Sequence, residues 1–194
     1  MAQILDLSKR YTQEQIESAS QGDTSLPDLP AGGYVCKIIR PILNDDQDAG
    51  KANIELHIDI AEGEFAGYFQ KLEDRWGFWG LRGWMSFKEN QLKHFQRMCV
   101  ALCNSNPGLQ FNPFIEGGAD IDALEGKLIG AVIGKEEYRQ KSGEIRERNI
   151  VSWFTEVGKV RDGIKKIPEL KKLKDTSSDP LFVPADATQD TIPF

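Results

Sequence analysis

Ile54-Glu55-Leu56-His57-Ile58-Asp59-Ile60 alternates apolar and polar residues along its whole length. A period of two sends successive side chains to opposite faces, so this stretch predicts a strand with one face in a core and the other in water. Towards the N-terminus, Tyr34-Val35-Cys36-Lys37-Ile38-Ile39-Arg40 is rich in β-formers and predicts a first strand, stopped by Pro41. The intervening Asn44-Asp45-Asp46-Gln47-Asp48-Ala49-Gly50 is a turn-rich loop. In the other direction Glu62-Gly63-Glu64 turns the chain, and Phe65 through Leu72 predicts a third strand with Gly67 at a bulge or bend.

Further on, Ser86 with Glu89 has the spacing of a capping box. The helix it announces repeats Leu92, Phe95, Cys99 and Leu102 at helical spacing and ends near Asn104–Gly108. Residues 104–120, with Pro107, Gly108, Pro113, Gly117 and Gly118, are irregular. Lys127 opens a fourth strand running to about Tyr138, Arg139-Gln140-Lys141-Ser142-Gly143-Glu144 is a hairpin loop, and Ile145 to Thr155 makes a fifth strand. The chain thus reads as mainly β. Five strands with one helix between the third and fourth is the element order of the oligonucleotide-binding (OB) fold, a small Greek-key barrel whose binding face lies on strands 2 and 3 and the loops joining strands 1–2 and 4–5. The expected organisation is an N-terminal arm over 1–30, an OB-like domain over 31–158, a basic helix or linker over 159–174 and a disordered acidic tail over 175–194. A short helix near Thr12–Ser18 is also expected, with Thr12 as its cap.

The bulk composition fits this scale. A chain of 194 residues, 40% hydrophobic and 28% charged, has room for one domain with a real core. No apolar run approaches the ~20 residues that span a bilayer. The N-terminus lacks the basic flank and apolar run of an export signal. Three cysteines without framework spacing point to the cytoplasm.

The net charge of −6 looks wrong for a nucleic-acid partner until it is divided along the chain. Residues 1–126 carry 11 basic and 19 acidic side chains, residues 127–174 carry 13 and 7, and residues 175–194 carry four aspartates alone. A basic segment followed by an acidic one points to a polyanionic partner and to a tail that mimics it.

Aromatic and basic residues interleave in two places. Arg75-Trp76-Gly77-Phe78-Trp79-Gly80-Leu81-Arg82-Gly83-Trp84 is glycine-rich and reads as a mobile segment, with Arg75, Trp76, Trp79, Arg82 and Trp84 as DNA-binding candidates. The second set is Lys135, Tyr138, Arg139, Lys141, Arg146, Arg148 and Trp153 around the 4–5 loop. Sequence-neutral binding of single strands needs flat side chains that stack on bases and cations that follow the backbone. Asp45, Asp46 and Asp48 make the 1–2 loop acidic, which suits facing away or holding a cation; they resemble the start of a calcium loop, but Gly50 and the terminal Glu are out of register for one. Cys99 and Cys103 read as small buried hydrophobes rather than half of a zinc site, and His94 points away from them. No catalytic motif is present, so neither an enzymatic activity nor a metal or other cofactor is expected.

From Asp175 onward, prolines 180, 184 and 193 exclude helix and central strand, and the segment cannot bury enough apolar surface to order itself. It closes on Asp190-Thr191-Ile192-Pro193-Phe194, an acidic stretch with an apolar end suited to a basic-rimmed pocket. This ending resembles the C-terminal tip of bacterial and phage single-stranded DNA-binding proteins, with fewer aspartates immediately before Ile192-Pro193-Phe194 than is typical. The resemblance implies coating of single-stranded DNA during replication, recombination or repair, with Asp190, Ile192, Pro193 and Phe194 recruiting partner proteins, and a homo-oligomer as a further possibility. The alternatives are an adaptor whose aromatic patch binds polypeptide, or an accessory subunit of a nuclease or recombinase.

Overall fold

The computed structural model describes residues 12, 26–46 and 51–173; the expected helix near Thr12–Ser18, Asp48 and the tail with its tip lie outside them, Thr12 apart. The chain divides into two units, Met1–Pro30 and Ala31–Phe194, and every element below belongs to the second. Its strands are β1 (Gly32–Asn44), β2 (Asn53–Ile60), β3 (Arg82–Ser86), β4 (Leu128–Arg139) and β5 (Ile145–Thr155). Helix α1 (Tyr68–Trp76) lies between β2 and β3, α2 (Leu92–Ser105) between β3 and β4, and α3 (Val157–Arg161) follows β5. The strands form one open antiparallel sheet in the order β3-β2-β1-β4-β5, so the molecule is mainly β.

The alternation in β2 buries Ile54, Leu56, Ile58 and Ile60, as its period requires. Its other face is not wet throughout. His57 and Asp59 are each only 5% exposed, because the chain after β2 folds back over them. The Asp59 carboxylate accepts hydrogen bonds from the backbone N–H of Ile60 (2.8 Å), Phe69 (2.9 Å) and Gln70 (3.2 Å). The last two are orphan donors at the start of α1, so a buried charge and an uncapped helix end satisfy each other.

That arrangement overturns the strand expected over 65–72. Gly67 sits at φ 73°, a left-handed turn rather than a bulge, and Gly77 closes the helix at φ 72° with its N–H on the Glu73 carbonyl. Tyr68 and Phe69 face the core while Gln70, Lys71 and Asp74 face water, a helical division that a short β-rich reading hides. The third strand is instead Arg82–Ser86, so the segment 75–84 is a helix end, a turn and an ordered strand rather than a mobile loop.

Pro41 does not stop β1 either. It pairs with Leu56, beyond the last β1–β4 pair at Lys37–Leu128, where β1 has an open flank and a missing N–H breaks no ladder. At the helix between β3 and β4, Ser86 Oγ accepts the N–H of Lys88 (3.3 Å), a turn over Glu89–Gln91 follows, and α2 starts at Leu92. Phe95, Met98, Cys99 and Leu102 face the core, whereas Leu92 is 40% exposed. Asn106 fastens the helix end to β4: its amide donates to the carbonyls of Leu102 (2.8 Å) and Leu128 (2.7 Å), and its oxygen accepts the Leu128 N–H (2.8 Å).

The edge strands β3 and β5 approach each other without pairing. The Phe154 ring occupies the space over Gly83, and a Cβ there would meet its Cζ at 2.3 Å. We call this junction the seam. At the other end, β4 and β5 run past β1 as a two-stranded arm from Gly134 and Ile150 to the loop at Gly143. The chain near Lys171 lies parallel to the flank of β4, exchanging backbone hydrogen bonds with Lys135 (3.0 Å) and Glu137 (3.0 Å). Among the described residues no helix is long and apolar enough to cross a membrane.

Candidate nucleic-acid interface

The register of β2 and β3 sets Glu55 opposite Trp84 and His57 opposite Arg82, all on the sheet face away from Ile54, Leu56 and Met85. Glu55 ties the group together. Its Oε1 lies 2.6 Å from His57 Nε2 and 3.3 Å from Arg82 Nη1, and its Oε2 accepts the Trp84 indole N–H at 3.2 Å. Burial alone raises the Glu55 pKa, but the hydrogen bonds from His57 and Trp84 and the charge of Arg82 outweigh it and hold the carboxyl below its ordinary value. The bonded edge of Trp84 fixes the indole while the residue stays 58% exposed. A flat ring held at its edge with a free face is what base stacking needs.

The tryptophans part company here. Trp79, expected among the DNA-binding residues, is 5% exposed and stacks on His57 with ring centroids 5.9 Å apart, so it is packing and not surface. Trp76 is half exposed and stacks at 6.4 Å on Phe78, with the Arg75 guanidinium 5.8 Å over its ring. Phe78 was absent from the sequence-based candidates although it is 56% exposed; its place in the Trp–Gly–Phe–Trp run was the available signal.

Trp153 is 40% exposed, since β5 carries one extra residue, Ser152, between the pairs Val132–Trp153 and Ile133–Val151. Such a bulge re-aims the side chains beside it. Trp84 and Trp153 line one groove of about 570 Å³ at the seam, floored by Met85 and Met98 and flanked by His94 and Arg97 of α2. Those two helix residues were missed as site residues because the apolar repeat of α2 drew the reading to its core face.

The arm brings together the remaining candidates in a different manner. Arg148 bonds Glu136 Oε1 at 2.6 Å and lies 5.4 Å over the Tyr138 ring, and Lys171 reaches the other Glu136 oxygen at 3.2 Å. Arg146 pairs with Glu144 (3.1 Å), Lys135 with Glu147 (3.9 Å), and Arg139 donates to the Gly143 carbonyl (3.0 Å). Lys141 is exposed at the loop. Burial raises the Glu136 pKa, yet the hydrogen bonds and charges of Arg148 and Lys171 prevail and hold it below its ordinary value.

Cys99 is buried and its thiol is pushed up to about 11, first by burial and then by Cys103; Cys36 is driven up further by burial. Protonated thiols are poor metal ligands and nucleophiles. No group of three or more His, Cys, Asp or Glu arranged for a metal ion occurs among the described residues. No protein-family model and no curated protein matches the chain.

Proposed function

We propose that this chain is an OB-like barrel that binds single-stranded DNA largely independently of sequence, in replication, recombination or repair. The observation that carries the reading is a groove lined by two exposed indoles and a cation: Trp84 on β3, Trp153 across the seam on β5, and Arg97 of α2. Stacking on such rings requires bases that are unpaired, which separates single strands from duplex. The strand order, with β3 and β5 as facing edges and α2 beneath them, supports the barrel half of the proposal. In this reading Asp190, Ile192, Pro193 and Phe194 recruit replication or recombination proteins.

The test is a tryptophan-fluorescence titration with oligo(dT) and with a duplex of equal length, repeated over a range of salt. Oligo(dT) should quench the indoles and bind far more tightly than duplex. Equal affinity for the two at one salt concentration would sink the proposal.

A further inference from the structure

The arm is the obvious cationic feature, yet its charges are largely spoken for. Between Lys135 and Arg148 it holds five Lys and Arg against four Glu, and Glu136, Glu144 and Glu147 each lie within 4.0 Å of a cation. A phosphate arriving at Lys135, Arg146 or Arg148 must displace a carboxylate, while Arg139 and Lys141 by the loop have none among the described residues. Helix α2 differs: Lys93 and Arg97 are its charged residues, it carries no Asp or Glu, and neither cation pairs with a carboxylate among the described residues.

These cations line two neighbouring concavities. The seam groove that holds Trp84 and Trp153 shares Arg97 and Phe154 with a second concavity of about 550 Å³, whose walls include Lys93, Val100 and Lys159. The one acidic residue of the second wall, Glu156, accepts a hydrogen bond from Lys159 at 2.8 Å and so presents little free negative charge. Two exposed indoles at one end and cations without carboxylate partners among the described residues along α2 suit a chain that alternates flat bases with phosphates.

We propose that a single strand runs through the seam along α2, its bases on Trp84 and Trp153 and its phosphates on Arg97 and Lys93. The proposal rests on the single-strand reading above and adds the path. The unpaired edges of β3 and β5 also invite an extended peptide. Two cations without carboxylate partners among the described residues favour the polyanion.

The experiment uses the full chain with oligo(dT), comparing wild type, Lys93→Glu/Arg97→Glu and Arg146→Glu/Arg148→Glu, the arm cations that already hold carboxylates, across a salt series. All four side chains are exposed, and circular dichroism confirms that each variant is folded. The α2 variant should lose at least about tenfold in affinity at low salt and flatten the log–log salt slope by about 1.4, at roughly 0.7 per lost phosphate contact. The arm variant should change both by much less. Ultraviolet cross-links from bound oligo(dT), mapped by mass spectrometry, should fall on Trp84, His94 or Trp153. Retention of wild-type affinity and slope by the α2 variant, or cross-links confined to 139–148, overturns the path while leaving single-strand binding intact. Failure of the wild type to bind oligo(dT) overturns both, and binding of an extended peptide instead assigns the groove to polypeptide.

Discussion

The β4–β5 arm and the α2 side of the seam are both basic, but their cations are in different states. On the arm Arg148 and Lys171 converge on one carboxylate and Arg146 has its own; on α2, Lys93 and Arg97 stand over a groove without a carboxylate partner among the described residues. Counting Lys and Arg measures charge, whereas binding a phosphate uses charge that is not already neutralised nearby. Exposed ion pairs are weak, typically ~0–1 kcal/mol, so the arm is quiet rather than locked. The comparison therefore predicts a graded response, and each expectation below is a way of breaking or sharpening it.

The largest effect concerns the scaffold that holds both regions. Trp79→Ala removes a buried ring stacked on His57 and should lower stability by about 3–5 kcal/mol, the usual range for a large aromatic truncation. The affinity of the molecules that remain folded should be unchanged. Trp84→Ala should do the reverse, leaving the melting temperature nearly alone and costing about 1–3 kcal/mol of oligo(dT) binding. If both variants weaken binding equally at a temperature where each is folded, stacking is not confined to the seam and the contrast between the regions fails.

These two residues also show how far the sequence could be read. Both lie in the same Trp-rich run and look alike there. What separates them is tertiary: Trp84 falls on the outward face of an edge strand, while Trp79 folds over His57. Strand β2 was legible because its periodicity is local, and β4 and β5 because a turn-rich hairpin loop separates two runs of β-formers. Helix α1 was not, since its cap is the Asp59 carboxylate, from another element. A helix capped from afar carries no local start signal, and Phe65-Ala66-Gly67-Tyr68-Phe69 passes for a bent strand. The cationic residues were all visible, but their pairing depends on cross-strand register, which places Glu136 opposite Arg148, and on the return of the chain at Lys171. Arg97 was overlooked for the same reason: its importance comes from facing β5.

A medium effect should follow from unpairing the arm. Glu136→Gln removes the carboxylate shared by Arg148 and Lys171 without removing bulk. If the arm is quiet because its cations are matched, this variant should bind oligo(dT) several-fold more tightly at low salt. Its salt slope should steepen by up to about 1.4 as two further cations meet phosphates. An unchanged slope in the variant would mean that the arm does not face the strand at all, whatever its charge.

The smallest effect is on acid stability, and it compares the two regions through their carboxylates. Glu55 anchors Trp84 and Arg82 beside the seam, Glu136 anchors the arm, and both are held below the ordinary carboxylate value of 4.5. A depressed pKa in the folded state means that the unfolded chain takes up protons first as pH falls. The stability each group contributes is therefore present above about pH 4.5 and is lost as pH drops through the folded value. The two losses should not be equal. The partners of Glu136 are 61% and 73% exposed, so solvent screens them, whereas Glu55 works with a His57 side chain that is 6% exposed and an Arg82 that is 43% exposed. Glu136→Gln should thus alter the difference in unfolding free energy between neutral pH and about pH 3 by less than ~1 kcal/mol, with Glu55→Gln altering it more. Urea denaturation of the two variants and wild type at both pH values measures this. A larger change for Glu136→Gln would show that the arm's ion pairs are tighter than their exposure implies, and the distinction between matched but weak charges and unmatched ones would have to be redrawn.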